Sequence, residues 1–363
     1  MPGLYAHIPF CRSKCAYCDF TSFPGKETLI NGYIDSLSKE AALYPQLAGS
    51  FKTLYVGGGT PSLLSAGQMG KLFYALLPLT GPFSALAEST FEANPESVDA
   101  AKAKLLRKAG ISRISLGLQA AQDGLLKKLG RIAMLDDFLK AFKILRSAGF
   151  TNISCDLMCG LPGQTAEDFT ASLDLLLSLE PEHVSIYPLE VHEGTEFSRA
   201  GVKEEPETAA LMYETAAAEL ERRGMERYEI SNFARVGRQS LHNLNYWQQG
   251  SYLGLGAAAA SYLNGERRVN TADLDAYMYA ARSGRHPPVQ SRETLTGRAK
   301  RAERIMLGLR KTGGIELERE IIIEFNEEID RLLKMGLIEN DGRLIRIKSS
   351  RIYLANAVFR EFV

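Results

Sequence analysis

The chain has 363 residues, and its 43 Lys and Arg balance 43 Asp and Glu, so the formal net charge is zero. That length buries a sizeable core and leaves room for a large domain and a smaller one, while the balanced charge supplies no basic field for nucleic acid or an anionic surface. Five cysteines, an odd number with three clustered, do not read as a secreted disulfide framework.

The opening MPGLYAHIPF lacks a basic stretch followed by a long apolar core, so it does not read as a signal peptide. No apolar run reaches the roughly 20 residues of a membrane span. The expectation is a cytoplasmic protein, with loose contact at a membrane surface still compatible.

Short apolar, β-branched or aromatic runs alternate with longer amphipathic segments, the pattern of βα units around a parallel sheet. The predicted strands are Leu4–Ile8, Thr53–Val56, Ser89–Glu92, Arg113–Leu118, Ile153–Met158 and His183–Pro188. The predicted helices are Thr28–Leu47, Gly67–Leu77, Ser97–Ala109, Leu135–Ala148, Ala166–Leu179 and Glu207–Arg223. Six strands are too few to close an eight-stranded barrel. The expected fold is therefore α/β, a partial (β/α)6 barrel over residues 1–225, open on one side.

Residues 226–290 are rich in Gly, Asn and Tyr and are expected to be irregular. Residues 291–363 read as two or three helices followed by a hairpin, Leu337–Glu339 and Arg343–Ile347, around Asp341-Gly342. Helices followed by a hairpin suggest a small winged-helix-like domain. It has no concentrated basic face, so nucleic acid is not expected as a partner.

Cys11, Cys15 and Cys18 have the spacing C-x3-C-x2-C on the loop leaving the first strand. That is the carboxyl-terminal mouth of a barrel, where active sites of such folds gather. One reading is a zinc site completed by His7 or Asp19. The other is an iron–sulfur cluster, which thiolates favour; three cysteines on a four-iron cluster leave one iron open for another molecule.

Further polar residues recur at strand ends: Gly57, Gly58, Gly59 and Thr60 after the second, Glu92 after the third, Gln119 after the fourth, and Asp156 within the fifth, with Arg131 in the loop LGRIA. Each alone reads as a capping or solvated side chain; together, facing one mouth, they suit a ligand. Strand alternation puts Cys155 and Cys159 on the face opposite Asp156, where free cysteine is a small buried hydrophobe. His242, in HNLNYW, reads by itself as a hydrogen-bonded loop residue.

CRSKCAYCDF, with Tyr17 just before its third cysteine, resembles the cluster loop of the radical S-adenosylmethionine (SAM) superfamily. The resemblance implies a [4Fe-4S] cluster on Cys11, Cys15 and Cys18, and SAM chelated at the open iron. It also implies a SAM pocket lined by Tyr5, Gly58, Gly59, Thr60, Glu92, Gln119, Arg131 and Asp156. It assigns no catalytic side chain.

Over nearly the whole chain, YAHIPFC, GGGTPS, DLMCGLPGQT, YEISNFA, HNLNYW and YLGLG resemble the family of oxygen-independent coproporphyrinogen III oxidase and its relatives. Two functions occur there, the oxidase of porphyrin biosynthesis and a haem chaperone that delivers haem to haem-dependent respiratory enzymes. The chaperone is the expectation. The oxidase loop typically has another cysteine where this chain has Phe20, and the oxidase has an amino-terminal extension that is absent ahead of Tyr5. HNLNYW also resembles a haem-associated signature, implying haem at His242 with Tyr246 and Trp247 packing on the macrocycle. An electron donor for the cluster is implied, and a homodimer and peripheral membrane association are compatible. Ala133, Leu241 and Ala257–Ala260 depart from residues common in relatives.

Overall fold

Six parallel strands succeed one another through the central sheet of the computed structural model, which describes residues 1–362: β1 (Gly3–Ile8), β2 (Thr53–Gly58), β3 (Glu88–Ala93), β4 (Arg113–Gln119), β5 (Ile153–Cys159) and β6 (His183–Pro188). Each pairs with the next in sequence, as βα connections require. Apolar residues of one parity, such as Ile153, Cys155 and Leu157, are buried in the main core. Cys159 joins them there. The opposite parity carries Ser115, Asp156 and Ser185 into the interior of the curved sheet, where a large cavity lies.

Helices Ile30–Ala41, Ala66–Thr80, Ala100–Ala109, Leu135–Ser147, Ala166–Ser178 and Pro206–Arg222 follow the six strands in turn. Their ends are set by caps. Ser65 and Thr165 form reciprocal capping boxes with Gln68 and Asp168. Asp99 accepts from the Lys102 amide, so the third helix starts at Ala100 and not at Ser97. The first helix stops at Ala41, short of the expected Leu47, and Pro45 opens a separate 3-10 turn.

Residues 226–290 are not irregular. Asn232–Ala234 pairs antiparallel with β6, and Glu226–Arg227 with Asn232–Ala234. On the other side, Tyr252–Leu255 runs parallel to β1 and is followed by antiparallel Ala260–Leu263, Glu266–Asn270 and Val289–Thr294. Twelve strands form one sheet among the described residues. The glycines that suggested a loop mark close backbone approach: a Cβ on Gly256, at φ +109°, would lie 2.8 Å from the His7 carbonyl oxygen.

A buried carboxylate ties this extension to the first helix. Glu40 accepts from the Gly256 amide (2.8 Å), Asn270 Nδ2 (2.8 Å) and Tyr277 Oη (2.7 Å). Burial nevertheless raises its pKa from 4.5 to about 7. The folded chain thus keeps a proton that the unfolded chain has lost between those values, and stability from this group falls as pH rises through that window. The loss amounts to at most about 3 kcal/mol. Urea unfolding of the parent should weaken from pH 5 to pH 8 more than that of Glu40→Gln; equal slopes would remove Glu40 as the cause.

At the carboxyl end, helices Gly297–Gly308 and Arg319–Lys334 accompany a three-stranded antiparallel sheet of Ile315–Glu316, Leu344–Ile347 and Ile338–Asn340. Asp341 accepts from the amides of Arg343 and Leu344, fixing the expected turn. The last segment returns to the barrel, where Ile352, Tyr353 and Asn356 line the interior cavity. Among the described residues no helix is long and apolar enough to cross a membrane.

Candidate cluster and cofactor site

The loop after β1 is stitched to its neighbours by backbone hydrogen bonds. The Gly59 amide donates to Ile8 O and the Thr60 amide to Phe10 O, so the glycine run lies directly against the start of the cysteine loop. Ala16 donates to Leu129 O and receives a bond from the Phe197 amide. Cys11, Cys15 and Cys18 all line one cavity of about 160 Å³ at the carboxyl end of the barrel strands.

Gly58, Gly59, Thr60, Glu92, Gln119, Arg131 and Asp156 line the same cavity. Glu92 accepts from Tyr55 Oη (2.7 Å) and the Gly58 amide (3.0 Å), and burial raises its pKa to about 7. Asp156, raised by burial, accepts from Ser115 Oγ at 3.4 Å. Gln119 has φ +72° where the β4–β5 register shifts, a left-handed backbone held at the site. Arg131 donates to Gly117 O (2.9 Å) and reaches Cys15, but its Nε is buried without a partner.

The glycine run is filled from within the protein. A Cβ at Gly59 would lie 2.8 Å from Cys11 Sγ, and one at Gly58 would lie 2.6 Å from His7 Nδ1. Gly58 also has φ +118°, a conformation side chains rarely adopt. These glycines let the cysteine loop and β1 close on β2.

The donor set is three thiols, which suits a four-iron cluster with one iron left open. Burial holds the Cys11 thiol above its usual pKa and pushes Cys18 up to about 11; a bound cationic metal reverses that preference by taking thiolates directly. Thr60 Oγ1 donates to Cys11 Sγ at 3.3 Å. His7, one of the two fourth donors the zinc reading offered beside Asp19, has Nδ1 on Tyr5 Oη (2.9 Å) and Nε2 on Thr21 O (2.9 Å).

Two residues lie elsewhere. Tyr5 does not line the cluster cavity. It pairs across β1 with Gly254 of the added strand and lines a second, aromatic cavity of about 690 Å³. His242, on helix Leu241–Trp247, is fully buried rather than on a loop. Its Nδ1 meets Thr53 Oγ1 (2.9 Å) and its Nε2 meets Tyr246 Oη (2.7 Å), so neither nitrogen is free as arranged here. Burial, reinforced by Arg113, lowers its pKa to about 3 and keeps it neutral. Tyr246 and Trp247 do line the aromatic cavity.

Sequence reasoning missed Arg113, Ser115, Ser185 and Tyr187, which line the barrel interior. The signal was parity, since Ser115 and Ser185 alternate against apolar neighbours in RISLGLQ and HVSIYP.

A six-stranded parallel wall with a three-cysteine loop at its mouth defines a radical SAM protein, and residues 5–176 match the radical SAM superfamily model. The chain is 36% identical to "Heme chaperone HemW" of Bacillus subtilis, covering 100% of this chain and 99% of that one. It is 35% identical to the Lactococcus lactis protein of the same name, covering 99% and 96%. The chain belongs to the HemW family. Its fold also matches the coproporphyrinogen III oxidase HemN of Escherichia coli, with a TM-score of 0.86 at 22% identity over 99% of this chain and 90% of that one.

Proposed function

We propose that this chain is a haem chaperone that carries a [4Fe-4S] cluster on Cys11, Cys15 and Cys18, with SAM at the open iron, and delivers haem to haem-dependent respiratory enzymes. When bound, the cluster would supply an electron and an open coordination position. The chain's own part is to position and shield. Thr60 and Arg131 sit against the thiols, while Glu92, Asp156 and Gln119 offer acceptors and donors to the amino, carboxylate and hydroxyl groups of SAM.

The observation that carries the haem reading is the aromatic cavity beside the cluster loop. Its walls include Tyr5, Tyr246, Trp247, Tyr252 and Tyr262, and its volume of about 690 Å³ suits a cofactor-sized ligand. Trp247, one of those walls, has its Nε1 buried without a partner. Phe20, 63% exposed, borders this cavity, the cluster cavity and the barrel interior. An apolar ring therefore stands at the junction where the oxidase loop typically has a cysteine. Haem in the aromatic cavity would lie beside the cluster without entering the barrel interior.

The test against the oxidase reading is turnover. The anaerobically reconstituted chain, given SAM, a reductant and coproporphyrinogen III, should form no protoporphyrinogen IX. Catalytic accumulation of the vinyl product, followed by chromatography, would establish the oxidase instead.

A further inference from the structure

Resting on the haem reading above, we infer that the iron ligand of the aromatic cavity is the phenol oxygen of Tyr246, and that His242 is its positioning residue. The two are four residues apart on helix Leu241–Trp247, which places them on one face. His242 Nε2 and Tyr246 Oη are 2.7 Å apart with the rings nearly perpendicular, at 81°. Tyr246 lines the cavity, whereas His242 is fully buried behind it.

His242 is held from several sides. Thr53 Oγ1 engages Nδ1, the Tyr55 ring packs at 5.3 Å, and a Cβ on Gly3 would come within 2.9 Å of Cε1. Reaching iron would take the imidazole away from Thr53 and Tyr55. Tyr246 lines the cavity itself, a phenol donating to Nε2 keeps its oxygen lone pairs for a metal, and tyrosine oxygen is an established haem ligand type.

Two other donors of the cavity, His7 and Tyr5, fit less well. His7 has both nitrogens engaged, by Tyr5 Oη and Thr21 O. Tyr5 also pairs with a histidine, but its ring neighbours are His7 and Tyr55, whereas Tyr246, Tyr252 and Tyr262 form a continuous row, with centroids 4.6 and 6.4 Å apart. A macrocycle lying along that row meets Tyr246.

Ligation of ferric haem forms an Fe–O bond and breaks the phenolic O–H bond. The proton is released to solvent and no electron is exchanged. Neutral His242 then donates from Nε2 to the ligated oxygen, while Nδ1 accepts from the Thr53 hydroxyl. The same two hydrogen bonds serve both states through a change of tautomer.

The experiment is ferric haem titrated into the cluster-loaded full chain, read by absorbance for affinity and by resonance Raman scattering for phenolate vibrations. The parent should show phenolate modes. Tyr246→Phe, which keeps the ring, should lose them and bind more than about 100-fold weaker, whereas His242→Ala should keep shifted phenolate modes with roughly 10-fold weaker binding. His242→Asn, which retains a hydrogen-bonding side chain, should recover part of that loss. Tyr5→Phe should retain the parent spectrum. An imidazole or thioether spectrum in the parent, an unchanged spectrum in Tyr246→Phe, or loss of the modes in Tyr5→Phe would overturn the assignment while leaving haem binding intact. No saturable haem binding by the parent would overturn the underlying reading and the assignment together.

Discussion

Replacing any one of Cys11, Cys15 or Cys18 by alanine reduces bound iron and sulfide to background after anaerobic reconstitution, while the barrel stays folded. The three thiols line one cavity on a loop outside the main core, and such a loop contributes little to stability. The unfolding midpoint should therefore move by no more than about 1–2 °C, the shift that roughly 1 kcal/mol gives in a chain of 363 residues. Cys155→Ala and Cys159→Ala should behave oppositely. Both side chains are fully buried among the core residues behind β5, so these variants keep the cluster and lose stability through the small cavities they open. Iron content unchanged in all three loop variants would remove the cluster from this loop.

Gly59→Val should abolish the cluster as completely as loss of a ligand, although it deletes no donor. Its Cβ would come within 2.8 Å of both Cys11 Sγ and the Phe10 carbonyl oxygen, and backbone there has little freedom to give way. The expected measurement is colourless protein after reconstitution, with the far-ultraviolet circular dichroism of the parent. Gly58→Val is a different case. The positive φ and the His7 ring make it strained at once, costing about 2 kcal/mol or more, so it reports on folding and not on SAM alone. Brown, iron-replete Gly59→Val protein would show that the β2 terminus does not support the cysteine loop.

The six strands of the wall were legible because β-branched runs bounded by helical segments carry a strong periodic signal. Helix ends were legible only as far as their caps were noticed, as Asp99 and Pro45 show. The sheet extension was not legible. Strands such as Tyr252–Leu255 and Ala260–Leu263 have four residues each, and the glycines that broke the pattern, Gly254 and Gly256, serve close backbone approach. That omission hid one neighbour of Tyr5, because β1 pairs on its far side with Gly254 of a strand the periodicity did not reveal. The cysteines and the strand-end polar groups could be read because chemistry-bearing residues stand out at loop positions. Ser115 and Ser185 carried only the weaker signal of parity against apolar neighbours, and a serine inside a strand looks like any polar side chain until the wall curves around it.

The most direct test of the central claim is titration of ferric haem into the anaerobically reconstituted chain, followed by absorbance. Haem held in the aromatic cavity predicts a saturable spectral change at low stoichiometry. Trp247→Ala should bind a few-fold more weakly, since an aromatic contact contributes about 1 kcal/mol beyond its area. A spectrum that grows linearly with added haem and never saturates would contradict the account.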